Sequence, residues 1–149
     1  ITILFAIIRR IFITIATCLP TILDLLGEAQ DDHLQGESRL SAMTGEMTLE
    51  DNDVFIEWNG NNGHPIPGEA EVNPAMSTPW RTIVSADRWK LNLSNHDQCE
   101  LYDLNDDPSE MVNRYDDPEQ FERVRDLTVR VRNWQMETGD EIPLCDVGR

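Results

Sequence analysis

From residue 118 to 139, Phe121, Val124, Leu127, Thr128, Val131 and Trp134 recur at three- and four-residue steps. That spacing places them on one face of a helix, and an apolar face that broad has to lie on something. Asp117 is placed to cap this helix, Pro118 suits its first turn, Gln120 falls where a capping-box partner belongs, and Gly139 stops it. On the outer side the spacing pairs Glu119 with Arg123 and Asp126 with Arg130.

The cover for that face is written just upstream. "VFIEW", 54–58, is β-branched and aromatic and predicts a strand. "RTIV" and "RWKLNL" read as strands around a bend at Ser85 to Asp87, and a turn at Asn95 to Gln98 leads back through "CELYDL". In that last strand Tyr102 and Leu104 are expected toward the helix and the acids toward solvent. Strands before a single helix, with no βαβ alternation after residue 54, give an α+β fold, a small antiparallel sheet covered by a C-terminal helix. The acidic run "DLNDDPSEMVNRYDDPE" joins strand to helix, so its carboxylates read as turn, cap and solvated-face residues.

Upstream of the sheet, "PTILDLLG" predicts a helix starting at Pro20 and stopping at Gly27. Residues 28–53 are polar and without period, as in a surface connection. Residues 1–19 read as an Ile-rich buried strand running into a helix. Arg9 and Arg10 interrupt their apolar run where each charge is costly in lipid, and neither half is long enough to span a membrane. No charged n-region or small-residue cleavage site marks a signal peptide. The formal charge of -16 would repel phosphates and anionic lipid, so neither nucleic acid nor membrane is an expected partner.

Motifs for metal chemistry are incomplete. His33, His64 and His96 lack ligand spacing, and Cys18, Cys99 and Cys145 contain no C-x-x-C pair, although a Cys99 to Cys145 bridge stays open. Asp103, Asn105 and Asp107 imitate the start of a calcium loop, but Pro108 stands where that loop needs Gly and Arg114 where it needs Glu. "NLS", 92–94, is a glycosylation sequon. Between the strands at 54–58 and 81–84 lies a loop rich in Asn, Gly and Pro, of the kind that carries specificity when a rigid scaffold holds it. Its Asn59, Asn62 and His64 are first of all expected turn formers, and as neutral donors and acceptors they are also the candidate residues for hydrogen-bonding substrate hydroxyls if the loop lies beside an active site.

"RTIVSADRWKLNL", "ELYDLNDDPSEMVNRYDDPE" and a helix ending "RNWQMETGDEIPL" together resemble the C-terminal subdomain of the sulfatase family, the arylsulfatase-like hydrolases. "PTILDLLG" resembles the family's late catalytic-domain helix and "VFIEWNG" the strand leading into the subdomain. The resemblance extends from residue 19 to 144 and is most specific at 81–118. It implies that residues 1–50 are the tail of an α/β alkaline-phosphatase-like catalytic domain and that 51–149 are the C-terminal subdomain, which in the family lies beside the active site. It also implies a full-length enzyme that hydrolyses sulfate esters, on sulfated small molecules or carbohydrates, through a hydrated formylglycine and a calcium ion. Those groups belong upstream of the matched region, so the resemblance assigns this chain no catalytic residue, no metal ligand and no cofactor. The missing N-terminal catalytic domain is its implied partner, and the chain by itself is expected to be inactive. "CLPTI" imitates the C-x-P-x-R formylglycine signature from Cys18 but has Ile22 in place of Arg, and Lys90 matches a basic strand position, not the catalytic lysine. The family implies a periplasmic or secreted setting. Two other readings stand beside it: a non-catalytic acidic interaction module, and a fragment of a related phosphonate or phosphate monoester hydrolase.

Overall fold

The structure, a computed structural model, describes residues 15–34, 36–48, 52–60 and 78–145. The expectation for residues 1–14 lies outside them. The chain forms two compact units, Ile1–Val54 and Phe55–Arg149.

The first unit contains α1 (Ile15–Leu26) and α2 (Leu40–Thr44). Pro20 does not begin α1 but lies inside it. Proline has no N–H to return to the carbonyl four residues back, here that of Ala16. Gly36 is drawn up against this carbonyl, which a Cβ at position 36 would strike. Gly27, at φ 72°, ends the helix as expected, with its N–H donating to the Asp24 carbonyl at 3.1 Å and the Glu28 N–H to that of Leu23 at 2.9 Å. The stretch expected as a plain surface connection holds α2, a single short turn that buries Ala42 and closes on left-handed Gly45. Such a turn is too short to show periodicity in a sequence. The Thr21 hydroxyl ties the two helices, donating to the Thr17 carbonyl at 2.6 Å and accepting from the Arg39 N–H at 2.9 Å.

The second unit is built on a four-stranded sheet in the order β1 (Val54–Trp58), β2 (Trp80–Val84), β3 (Trp89–Leu93), β4 (Glu100–Asp103). β2, β3 and β4 pair antiparallel, aligning Ile83, Leu91 and Leu101 in one row across the strands. This row, with Leu93 and Cys99, packs under Val124, Leu127 and Val131 of α3 (Phe121–Thr138). The fold is therefore α+β, a sheet packed with the C-terminal helix. Burying each such side chain contributes about 1.5–3 kcal/mol.

Several side chains differ from their expected places. Leu101, not Tyr102, faces the helix. Tyr102 is one residue out of phase and lies on the opposite face beside Lys90, its partner in register. That second face is not simply wet: Val84, Asn92 and Tyr102 are each 7–8% exposed. Its polar groups are satisfied sideways, Thr82 Oγ1 donating to Asn92 Oδ1 at 2.7 Å and Asn92 Nδ2 to Glu100 Oε2 at 2.7 Å. On α3, Phe121 is 37% exposed, while Gln135, absent from the apolar pattern, is buried. The pairing expected on the outer side of α3 holds in part, since Arg130 pairs with Asp126 at 2.7 Å. Arg123 instead reaches Asp87 at 2.6 Å and lies 4.6 Å over the Trp89 ring. An aromatic face plus a carboxylate outweighs one exposed carboxylate a helical turn away.

The acidic joint wraps the open edge of β4. Asn113 acts as a substitute strand there: its Oδ1 accepts from the N–H groups of Leu101 at 3.0 Å and Tyr115 at 2.9 Å, and its Nδ2 donates to the Cys99 carbonyl at 3.1 Å. The Arg114 N–H donates to the Leu101 carbonyl at 2.8 Å. An edge covered this way cannot recruit another strand. The acids of the calcium-loop imitation are engaged in the turn, with Asp103 Oδ1 accepting from the Asn105 N–H at 2.9 Å and Asp107 Oδ2 from the Val112 N–H at 2.8 Å. Asp117 caps a 3-10 turn, Pro118–Gln120, that precedes α3, accepting from the Glu119 N–H at 3.0 Å. Its own N–H donates to the Arg114 carbonyl at 3.1 Å, the place a capping-box side chain would have taken.

Candidate functional site

The sheet and helix converge on the root of the loop that follows β1. β2 places Arg81 on the helix-facing side of the sheet, at the end nearest the loop, where it is 1% exposed. Its Nε donates to Asp140 Oδ2 at 2.6 Å and its Nη2 to Asp140 Oδ1 at 2.7 Å, a two-pronged ion pair. Nη2 also donates to Asn59 Oδ1 at 2.9 Å, and Nη1 donates to the carbonyls of Trp58 at 3.2 Å and Trp80 at 2.8 Å. A guanidinium carries five N–H groups, and these contacts use them all.

Asp140 follows the left-handed Gly139 that turns the chain out of α3. Gln135 Nε2 donates to its Oδ2 at 2.7 Å and, beyond it, to the Ile142 carbonyl at 2.8 Å. This is why a polar residue is buried on α3. The hydrogen bond from Arg81 holds the Asp140 carboxyl down at about 2, against the opposing effect of its burial.

A saturated guanidinium has no N–H left for a sulfate. Arg81 therefore acts as a fastener, joining the end of β1, the start of β2 and the tail beyond α3 around both feet of the loop. Of the candidate substrate residues, Asn59 stands at one foot with its oxygen on Arg81, while Asn62 and His64 lie outside the described residues. His33 and His96 are exposed, and His33 sits in a turn with its N–H on Asp31 at 2.9 Å. Among the described residues no three of His, Cys, Asp and Glu gather as a metal site would require, and no helix is long and apolar enough to cross a membrane. Cys18 lies within α1. The Arg81–Asp140 pair escaped the sequence reading, since the partners are 59 positions apart and nothing local marks them.

The same fold recurs in sulfatases. A 2-O GAG sulfatase superposes with a TM-score of 0.67 at 22% identity, over 86% of this chain and 26% of its own. A structure solved in complex with its substrate D-glucosamine-2-N,6-O-disulfate gives 0.65 at 23% identity, over 85% and 24%. The phosphonate monoester hydrolase of Agrobacterium radiobacter gives 0.62 at 21% identity, over 81% and 24%. This chain thus spans about a quarter of the length of these proteins. No curated protein sequence matches it. Residues 9–137 match the family described as N-sulphoglucosamine sulphohydrolase, C-terminal, and the chain belongs to that sulfatase family.

Proposed function

We propose that the chain serves as the C-terminal subdomain of an enzyme that hydrolyses sulfate esters of carbohydrates, with the loop from Asn59 to Pro79 reading the sugar. The observation that carries this reading is the Arg81 fastener, which fixes both feet of a long polar loop on a rigid sheet. The family match supports the reaction class, and the sulfated aminosugar bound by one structural neighbour supports the substrate class. In this reading Asn59, Asn62 and His64 hydrogen-bond sugar hydroxyls as neutral groups, avoiding the repulsion that the surrounding carboxylates would exert on a sulfate.

Calcium and formylglycine, which the family implies, do not fit the described residues of this chain. Among them no three of His, Cys, Asp and Glu are placed to hold a metal ion, and Cys18 has Ile22 where the modification signature needs Arg. The chemistry belongs to a catalytic domain, the implied partner. The purified 149-residue chain should not hydrolyse a chromogenic aryl sulfate, and turnover absent from a mock preparation would overturn that assignment. In a full-length enzyme, Asn62→Ala with His64→Ala should lower kcat/KM for a sulfated sugar by about tenfold or more, while a small aryl sulfate is little affected. Equal losses on both substrates, or none on either, would mean that the loop does not read the sugar.

The likeness to a phosphonate monoester hydrolase favours a second reading, in which the same subdomain closes an enzyme for phosphonate or phosphate monoesters. Comparing sulfate and phosphonate esters on the full-length enzyme separates the two. An interaction module without a catalytic partner would show activity on neither.

A further inference from the structure

Beyond the fastener, the tail makes a second attachment. After Asp140, the Pro143 carbonyl accepts from Asn95 Nδ2 at 2.5 Å, Leu144 packs against the core, and Cys145 Sγ comes to 2.9 Å from Cys99 Sγ. That separation is inside the normal contact distance of two thiol sulfurs. Cys99, at the head of β4, is 8% exposed, with its Sγ 3.4 Å from the Ser94 carbonyl, and Tyr115 Oη lies 4.0 Å from Cys145 Sγ. Apolar neighbours close the rest of the site, since both cysteines belong to or pack against the main core.

We infer that Cys99 and Cys145 are the two halves of a disulfide that staples the tail beyond α3 to the head of β4. The oxidant is a small-molecule disulfide such as oxidised glutathione. One thiol, as its thiolate, exchanges with it first, forming a mixed disulfide and releasing one small thiol. The other then attacks the protein sulfur of that mixed disulfide, forming the Cys99–Cys145 bond and breaking the mixed one, which releases the second small thiol. Two protein thiols lose two electrons and two protons, and the one small disulfide gains them as two thiols. While both are reduced, contact with Cys145 draws the Cys99 thiol down to about 6 and favours its thiolate, the form that enters disulfide exchange. Cys145 and Tyr115 are pushed the other way, Cys145 first by its contact with Cys99 and Tyr115 first by burial.

The staple closes 46 positions of chain and encloses β4, the acidic joint and α3. It also fixes the segment that presents Asp140 to Arg81. A redox-dependent anchor for the loop root would follow, independent of what the loop binds.

The test is disulfide mapping of the full 149-residue chain after equilibration in mixed reduced and oxidised glutathione, with alkylation before digestion. The expected result is a linked peptide pair carrying Cys99 and Cys145, with Cys18 alkylated. A reductant should then lower the melting temperature of the wild type by about 5 °C or more and leave that of Cys145→Ser unchanged. Recovery of Cys99 and Cys145 as separately alkylated peptides would overturn the inference, whether or not the serine variant folds. So would an equal response of wild type and variant to the reductant.

Discussion

Phe55 and Trp134 lie face to face, ring centroids 5.3 Å apart and planes 4° from parallel. The contact joins β1 to the last turns of α3, the two ends of the second unit's secondary structure. Helical spacing puts Trp134 on the apolar face of α3 but does not say which strand it meets, and its stacking partner belongs to the first. Trp134→Ala should destabilise the protein by about 3 kcal/mol. A double-mutant cycle with Phe55→Leu should return a coupling of about 1 kcal/mol, and additive losses would show that the rings do not interact.

Removing the charge at the centre of the fastener should cost more. Arg81→Met leaves Asp140 ionised in a nearly closed site and strips the partners from Asn59 and two carbonyls, so a loss of about 3–5 kcal/mol is expected from denaturant unfolding. A variant as stable as the wild type would mean that the ion pair is not formed in solution.

The same pair sets a pH dependence. The Asp140 carboxyl is lowered from 3.8 to about 2 in the folded state, first by the Arg81 hydrogen bond. A depressed carboxyl contributes stability that is present above its unfolded value and is lost as pH falls through its folded value. The contribution, about 2 kcal/mol, should therefore disappear between about pH 4 and pH 2. Over that window the stability difference between wild type and Asp140→Asn should shrink, and a constant difference would contradict the assignment.

Asn113 offers a test at the sheet edge. Asn113→Ala would leave the Leu101 N–H and the Cys99 carbonyl without the amide that now satisfies them, at a cost of about 2–3 kcal/mol. Amide exchange at Leu101 should accelerate in the variant. Unchanged protection there would mean that another group covers the edge.

The regular part of the architecture was legible in the sequence because it rests on local pattern. The strands Val54–Trp58, Trp80–Val84 and Trp89–Leu93, each within a residue of the expected "VFIEW", "RTIV" and "RWKLNL", the positive-φ stop at Gly139 and the burial of Val124, Leu127 and Val131 all follow from periodicity and turn chemistry. What escaped was set by partners distant in sequence. Gln135 is buried because Asp140 and the Ile142 carbonyl wait for its amide. Arg123 abandons Glu119 because Trp89 and Asp87 stand opposite it. Pro20 lies within α1, where Gly36 comes up against the carbonyl to which the proline returns no N–H. Of the candidate site, the composition of the loop was legible but its anchor was not, since Arg81 looks like any strand arginine until its five N–H groups are traced.

The Thr82, Asn92, Glu100 row gives the "NLS" sequon an unexpected meaning. In the folded protein the Asn92 amide nitrogen faces Glu100 and the side chain is nearly closed off. An oligosaccharide attached there would have to displace the Glu100 carboxylate from the amide nitrogen. The acceptor nitrogen is therefore already spoken for once β3 and β4 have paired, and a glycan at Asn92 would leave Glu100 to find another donor.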